Sequence, residues 1–372
     1  MDRRGFICSG CAAVATALGI VKPKRLEAFE TEEGYAPGHQ ATYFEYLDNK
    51  VVQCHLCPWS CRLQKGQTGN CRVRYNNNGN LITYSYGNPC AVNIDPVEKK
   101  PLFHVLPGAS AYSISTAGCN FRCKYCQNWQ LSQTSPWKTS NFKKSPKDVV
   151  REAKANSCEI IAYTYGEPVT FYEYMLDTAS LVKEAGLKNV VHSNAFIQEK
   201  PLRFLCKYID AFNIDLKGMT DAFHMKITGG RAKPVLDSLI RMKEEGVFIE
   251  ITRLLVTDEN DGDEELKNTF DWIRDNLGAT TPLHLSRFFP LYQLTRKPAT
   301  PVTTLMRARK LAFTEGLKYV YVGNYRDKDL ENTYCHKCNR LLVKRSMYTI
   351  EENKISSGTC PYCNTKIPGI FE

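Results

Sequence analysis

GCNFRCKYCQNW, residues 118–129, holds three cysteines, Cys119, Cys123 and Cys126, separated by three residues and then by two. Three thiolates on one short loop can grip three irons of a cubane iron–sulfur cluster, where a closed electron-transfer cluster takes four. One iron is then left open, as an open position marks catalytic rather than structural zinc. An open iron is where a substrate or cofactor can bind and receive an electron. Tyr125, just before the last cysteine, offers an aromatic ring to a bound base. The bland alternative is a structural zinc knuckle or a set of core thiols.

Outward from this loop, short apolar runs alternate with amphipathic stretches. The pattern predicts strands at 112–116, 160–164, 189–191, 211–215, 248–255, 283–286 and 319–322. Helices are predicted at 146–156, 170–185, 198–207, 234–245, 263–276 and 302–315. Such alternation implies the α/β class, a parallel sheet with right-handed crossovers. The number of units suits a partial or complete (β/α) TIM-like barrel, whose chemistry gathers at the carboxyl ends of its strands. The first strand runs into the cysteine loop. Later strands end in Gly166-Glu167-Pro168, in His192-Ser193-Asn194 and in Asp215-Leu216-Lys217, and the strand before last carries His284, with Arg287 near the same mouth. Singly, each has a bland reading as a solvated strand end or a hydrogen-bonded core residue; together they mark one mouth.

Two further cysteine sets flank this core. Cys54, Cys57 and Cys61 share a tight loop, with Cys71 ten residues on, and Gly66 and Gly69 supply the turns that return it. The NNNGN run at 76–80 predicts a hairpin, so 40–110 reads as a small β module clamped by four thiolates, which suit zinc or a second iron–sulfur cluster. Its last part, AVNIDPVEKKPLFHVLPG (91–108), reads as an extended linker because of its Pro steps. Near the carboxyl end, Cys335-x-x-Cys338 and Cys360-x-x-Cys363 have zinc-ribbon spacing over 333–372, with a rubredoxin-like iron site as the alternative. The core between the modules spans 111–326.

Sixteen cysteines in 372 residues, mostly in clusters, point to metal ligands in a reducing, low-oxygen setting rather than to a disulfide framework. The net charge of +10 is spread along the chain without a basic-aromatic array, which argues against nucleic acid as a partner. Residues 1–30 resemble a twin-arginine (Tat) signal: Arg3-Arg4 precede an uncharged apolar run at 6–21 and Ala15-x-Ala17. Export, anchoring at the membrane's inner face and retention in the cytoplasm are the three outcomes for it. Cys8 and Cys11 fall inside the apolar run and read as part of it.

The cysteine triple resembles the radical SAM superfamily. That resemblance implies a 4Fe-4S cluster on Cys119, Cys123 and Cys126 whose open iron is chelated by S-adenosylmethionine (SAM). Reduction then yields a 5′-deoxyadenosyl radical that abstracts hydrogen. Tyr125 would lie against adenine, the Gly166-Glu167-Pro168 motif would meet the SAM amine, and Lys217 of the Asp215-x-Lys217 motif its carboxylate; Asn194 and His284 would complete the cofactor site. Over about residues 40–372 the motifs are similar to those of the AmmeMemoRadiSam-system radical SAM proteins, relatives of pyruvate formate-lyase activating enzymes. That family name implies Memo-type and AMMECR-type partners, besides a low-potential electron donor and a substrate it leaves unnamed. His192 and Ala195 depart from the activases, which carry an acid and a glycine there. The rival readings are a glycyl-radical activase and, in another class, a metal-stapled nucleic-acid- or protein-binding module with a vestigial cluster.

Overall fold

Seven of the predicted strands assemble, in chain order, into one sheet. The computed structural model describes residues 31–326 and 329–372. The Tat-like segment, with Cys8 and Cys11, lies outside the described residues. The sheet has eight strands: β1 (Ala91–Pro96), β2 (Ser110–Ser115), β3 (Ile160–Tyr163), β4 (Lys188–Ser193), β5 (Ala211–Asp215), β6 (Phe248–Leu255), β7 (Leu283–Arg287) and β8 (Val320–Gly323). β2 to β8 are parallel neighbours, each crossover advancing by one strand, while β1 pairs antiparallel with β2 at one edge. No ladder joins β1 to β8 among the described residues, so the sheet is open.

The crossovers contain α1 (Pro146–Ala155), α2 (Tyr172–Glu184), α3 (Glu199–Cys206), α4 (Ala232–Glu244), α5 (Asp263–Asn276) and α6 (Val302–Thr314). α1 starts with a capping box, Ser145 against Asp148, with Pro146 at its first position. α2 and α4 each end two residues before a left-handed glycine, Gly186 at φ +74° and Gly246 at φ +73°. One face of each helix packs on strands that are buried almost throughout, β3 completely so.

The segment read as an extended linker does more than connect. Residues 91–96 are the edge strand β1, which can end on Pro96 because an edge tolerates the missing N–H. A 3₁₀ turn follows at Val97–Lys99. The chain then runs across to strands that β1 never meets. Asn213 of β5 donates to the Pro101 carbonyl at 2.7 Å. Glu250 of β6 accepts from the backbone N–H groups of Phe103 (3.1 Å) and His104 (2.7 Å). His104 also bonds Tyr321 of β8 at 2.6 Å.

Glu32–Glu372 form one compact unit, so the flanking modules belong to the same body as the sheet. In the first, two three-stranded antiparallel sheets form, and the expected hairpin turns at Asn78 and Gly79, both at positive φ. A buried ion pair between Arg74 and Glu173 of α2 fastens this module to the core. In the second, the antiparallel strands Thr333–Tyr334, Leu341–Ser346 and Thr349–Asn353 pack through Leu342 and Val343 onto Phe103, Tyr319 and Tyr321. No helix among the described residues is long and apolar enough to cross a membrane.

Candidate active site

The cysteine loop leaves β2 through Gly118, and only glycine fits there. Its φ is +103°, and a Cβ would lie 2.3 Å from Val73 Cγ2 and 2.7 Å from the Cys71 carbonyl oxygen. The loop is pinned from several sides. Trp59 Nε1 donates to the Asn120 carbonyl at 2.7 Å, and Asn120 Nδ2 to the Phe196 carbonyl at 2.9 Å. The N–H groups of Arg122 and Lys124 donate to the carbonyls of Thr228 and Ile227. Phe121 is buried against Gly230, where a Cβ would stand 2.4 Å from its ring.

This anchoring turns Cys119, Cys123 and Cys126 toward a cavity of about 500 Å³. The same cavity is lined by Tyr125, Gly166, Glu167, Asn194, Asp215, Lys217 and His284, so the strand-end residues expected to meet do meet. Pro168 is not in the lining; it is the buried first residue of a 3₁₀ turn that follows Glu167. The roles of the others are set by their partners. Glu167 is buried and caps that turn through Val169 N–H, while also accepting from the Ser193 hydroxyl (2.6 Å) and the Asn194 N–H (2.9 Å). Three donors on a carboxylate with about four acceptor positions leave one for a ligand. The Asn194 side chain is committed within the protein, donating to Asn120 Oδ1 and accepting from Phe196 N–H. His284 is held by Glu250 at 2.6 Å.

Lys217 and Asp215 form a 2.7 Å ion pair, and His192 Nε2 lies 3.5 Å from the same carboxylate. Burial opposes the charge on Asp215, but Lys217 and His192 hold it well below the usual carboxylate range. Burial likewise works against Lys217, yet Asp215, Tyr125 and Cys123 keep it protonated. Burial pushes the Cys123 thiol up to about 12, with Lys217 pulling the other way, and burial with the Glu167 charge raises Cys119. Such thiols become ligands only when a metal supplies positive charge. The Tyr125 hydroxyl is buried without a hydrogen-bond partner, an orphan that a bound group on the cavity side would satisfy. Ala195 adopts φ +54°, so alanine bears the left-handed conformation where the activases carry glycine.

The cavity also has walls that the sequence reading did not assign. Glu98, Lys100 and Phe103 come from the segment after β1, and Glu331 and Tyr348 from the carboxyl-terminal region. Lys100 pairs with Asp95 at 2.5 Å, and the hydroxyl of Tyr165, a residue at φ +62°, bonds the same carboxylate. Glu250 and Arg253 were legible in principle, because FIEITRLL puts two charges inside an otherwise apolar strand.

A sequence profile described as the Radical SAM superfamily matches residues 113–273, the stretch from β2 through the cysteine loop to α5. The chain belongs to the radical SAM superfamily. An uncharacterized protein of Methanocaldococcus jannaschii is 42% identical over 330 residues, covering 88% of this chain and 98% of that one. Pyruvate formate-lyase 1-activating enzyme of Escherichia coli is 24% identical over 162 residues, covering 42% of this chain and 66% of that protein. The solved structure of Streptococcus suis SuiB bound to S-adenosylmethionine aligns at TM-score 0.46 and 16% identity over 64% of this chain and 56% of that one. This chain is thus a radical SAM enzyme, a membership that implies a 4Fe-4S cluster and SAM. Three convergent thiols, a cavity beside them and an orphan phenol fit those groups.

The other cysteine sets lie outside the cavity. The Sγ atoms of Cys335, Cys338, Cys360 and Cys363 all lie within 4.8 Å of one another, with Cys335–Cys363 at 3.6 Å and Cys338–Cys360 at 3.7 Å. Four sulfurs so close can hold one metal ion. Of Cys54, Cys57, Cys61 and Cys71, the sulfurs of Cys61 and Cys71 both flank Gly69, 3.7 and 3.8 Å from where its Cβ would lie, and the Cys54 N–H donates to the Cys61 carbonyl at 2.9 Å; burial raises the Cys57 thiol, and the charges of Cys54, Cys71 and Cys61 raise it further.

Proposed function

We propose that this radical SAM enzyme cleaves SAM reductively and abstracts hydrogen from a substrate held in the cavity above the cysteine loop. What carries the reading is that all three loop cysteines, Tyr125 and the Asp215–Lys217 pair line one space. When bound, the cluster supplies the electron that splits SAM into methionine and a 5′-deoxyadenosyl radical. Cys119, Cys123 and Cys126 would hold the cluster, and the Tyr125 ring would lie against adenine. Gly166 and the remaining acceptor position of Glu167 would face the SAM amine. Lys217, kept protonated by Asp215, would take the SAM carboxylate through a charge-assisted hydrogen bond. Tyr348, Phe103, Lys100 and Tyr165 wall the cavity and would keep water from the reacting centre.

Among radical SAM families, the motif set supports the AmmeMemoRadiSam-system group, with a low-potential electron donor and Memo-type and AMMECR-type proteins as partners. The similarity to activating enzymes supports glycyl-radical activation as the second reading; His192 and Ala195 stand against it. For the Cys335–Cys363 quartet we infer a single tetrahedrally held ion, zinc or a rubredoxin-like iron. A tetrahedron with Zn–S of about 2.3 Å has S–S edges of about 3.8 Å, close to the 3.6 and 3.7 Å found.

The test is anaerobic reconstitution with iron and sulfide, then dithionite and SAM, with 5′-deoxyadenosine quantified. The wild type should form it and Cys123→Ala should not. No product from a fully loaded wild type would overturn the enzyme reading, and product from Cys123→Ala would overturn the ligand assignment.

A further inference from the structure

Four thiols converge in the amino-terminal module, and the catalytic function above leaves them without a task. Cys54 ends the strand Val52–Cys54, Cys57 and Cys61 lie on the loop that follows, and Cys71 is returned by the turns at Gly66 and Gly69. Gly69 packs directly against two of the sulfurs. A Cβ on Gly69 would lie 3.7 Å from Cys61 Sγ and 3.8 Å from Cys71 Sγ. Donors approach the sulfurs from outside: Asn70 N–H to Cys61 Sγ at 3.5 Å, and the buried Arg74 Nη1 to Cys54 Sγ at 3.5 Å. N–H groups on thiolate sulfur are a means by which proteins set the potential of an iron–sulfur cluster.

The three cysteine sets differ in how tightly they close. The carboxyl-terminal quartet is drawn in to the span of a single ion, and no other group of three or more Cys, His, Asp or Glu among the described residues is so drawn. Neither the amino-terminal quartet nor the loop triple is drawn in to that span, and the triple, as a radical SAM site, must accommodate a cubane. The quartet also touches that triple's loop directly. The Cys71 carbonyl oxygen would be 2.7 Å from a Cβ on Gly118, next to Cys119. Between them, Arg72 donates to the Cys119 carbonyl at 3.4 Å and Trp59 to the Asn120 carbonyl at 2.7 Å. On the outer side Arg62 and Lys65 are exposed, a basic rim suited to an acidic protein partner.

We propose that Cys54, Cys57, Cys61 and Cys71 hold a second iron–sulfur cluster that relays electrons to the cluster on the 118–129 loop; the relay rests on the radical reading for its acceptor. An acidic, low-potential one-electron carrier protein reduces the outer cluster by one electron. The outer cluster returns to its oxidised state by passing that electron to the loop cluster, and no bond or proton changes place in the transfer.

The test uses the full chain, reconstituted anaerobically, and begins with a variant that leaves the proposed site untouched. Cys119→Ala/Cys123→Ala/Cys126→Ala should retain about four irons and four sulfides per chain, against about eight of each in the wild type. Dithionite should give it the paramagnetic signal of a reduced cluster. A variant that holds zinc at this site, or no acid-labile sulfide, would overturn the proposal. For the relay, Cys57→Ala/Cys61→Ala should keep dithionite-driven SAM cleavage while cleavage driven by reduced flavodoxin falls by about tenfold or more. Equal loss with both reductants, or no loss with flavodoxin, would overturn it. A wild type that binds both clusters yet forms no 5′-deoxyadenosine would sink the radical reading and leave the second site standing.

Discussion

Gly118→Ala tests whether the cysteine loop is positioned by its contact with the amino-terminal module. Two costs are expected, and a second glycine separates them. Gly186, at φ +74°, has nothing within 4 Å of where a Cβ would sit, so Gly186→Ala meets only backbone strain. That strain is about 1–2 kcal/mol. Gly118 carries similar strain at φ +103° and adds collisions at 2.3 Å with Val73 Cγ2 and 2.7 Å with the Cys71 carbonyl. Overpacking of this kind costs a further 1–3 kcal/mol or so, giving a total of about 2–5 kcal/mol. Val73→Ala removes one collision and leaves the other, so the double variant should be less destabilised than the two single changes added together. Thermal unfolding of the anaerobically reconstituted enzyme would read the cost, and iron content would report whether the loop still holds its ligands in place. Gly118→Ala equal to Gly186→Ala in stability, with iron undiminished, would refute the reasoning.

Other substitutions probe separate parts. Lys217→Met should weaken SAM binding by about 10–100-fold, the worth of a charge-assisted hydrogen bond of roughly 1.5–3 kcal/mol; anaerobic calorimetry showing unchanged affinity would remove Lys217 from the SAM site. Glu250→Ala strands the N–H groups of Phe103 and His104, at about 1–3 kcal/mol each, so its urea midpoint should fall well below the wild type's; an unchanged midpoint would mean that water replaces the carboxylate. Asp95 is held at about 2 because Lys100 and Lys99 outweigh its burial, while burial pushes Lys100 itself down to about 8. The folded pKa of Asp95 lies below the unfolded one, so its stabilisation, about 2 kcal/mol at most, is complete above about pH 4 and lost as pH falls to about 2. The stability gap between wild type and Asp95→Asn, measured on metal-free protein, should close over that window; a gap independent of pH would contradict it. Cys360→Ala should abolish metal binding by the carboxyl-terminal quartet and open 333–372 to limited proteolysis, and unchanged resistance would show that packing alone holds the module.

The sheet and the catalytic loop were legible because their signals are local. Three cysteines in eight residues and short apolar runs closed by glycine caps need no distant partner to be read. The segment 91–109 was not legible in the same way. Its Pro steps say extended, but whether an extended piece becomes an edge strand depends on β2 having a free edge, and the crossing to Glu250 depends on a residue about 150 positions on. Asn194 shows the opposite limit. Its place at a strand end was predicted, yet its amide is committed to Asn120 and Phe196, a commitment set by tertiary packing. Arg74 is a buried partner of Glu173, 99 positions on, and a contact at that separation leaves no local pattern to read.

Glu331 and Tyr348 reach the cavity from a region joined to the four-sulfur quartet rather than from the sheet. Under the proposed function, part of the wall that would meet a substrate is therefore carried by the module that the four-sulfur quartet closes. Substitutions in the carboxyl-terminal module can reshape what is admitted without disturbing a thiolate of the loop. Selection could thus explore new substrates on an unchanged engine.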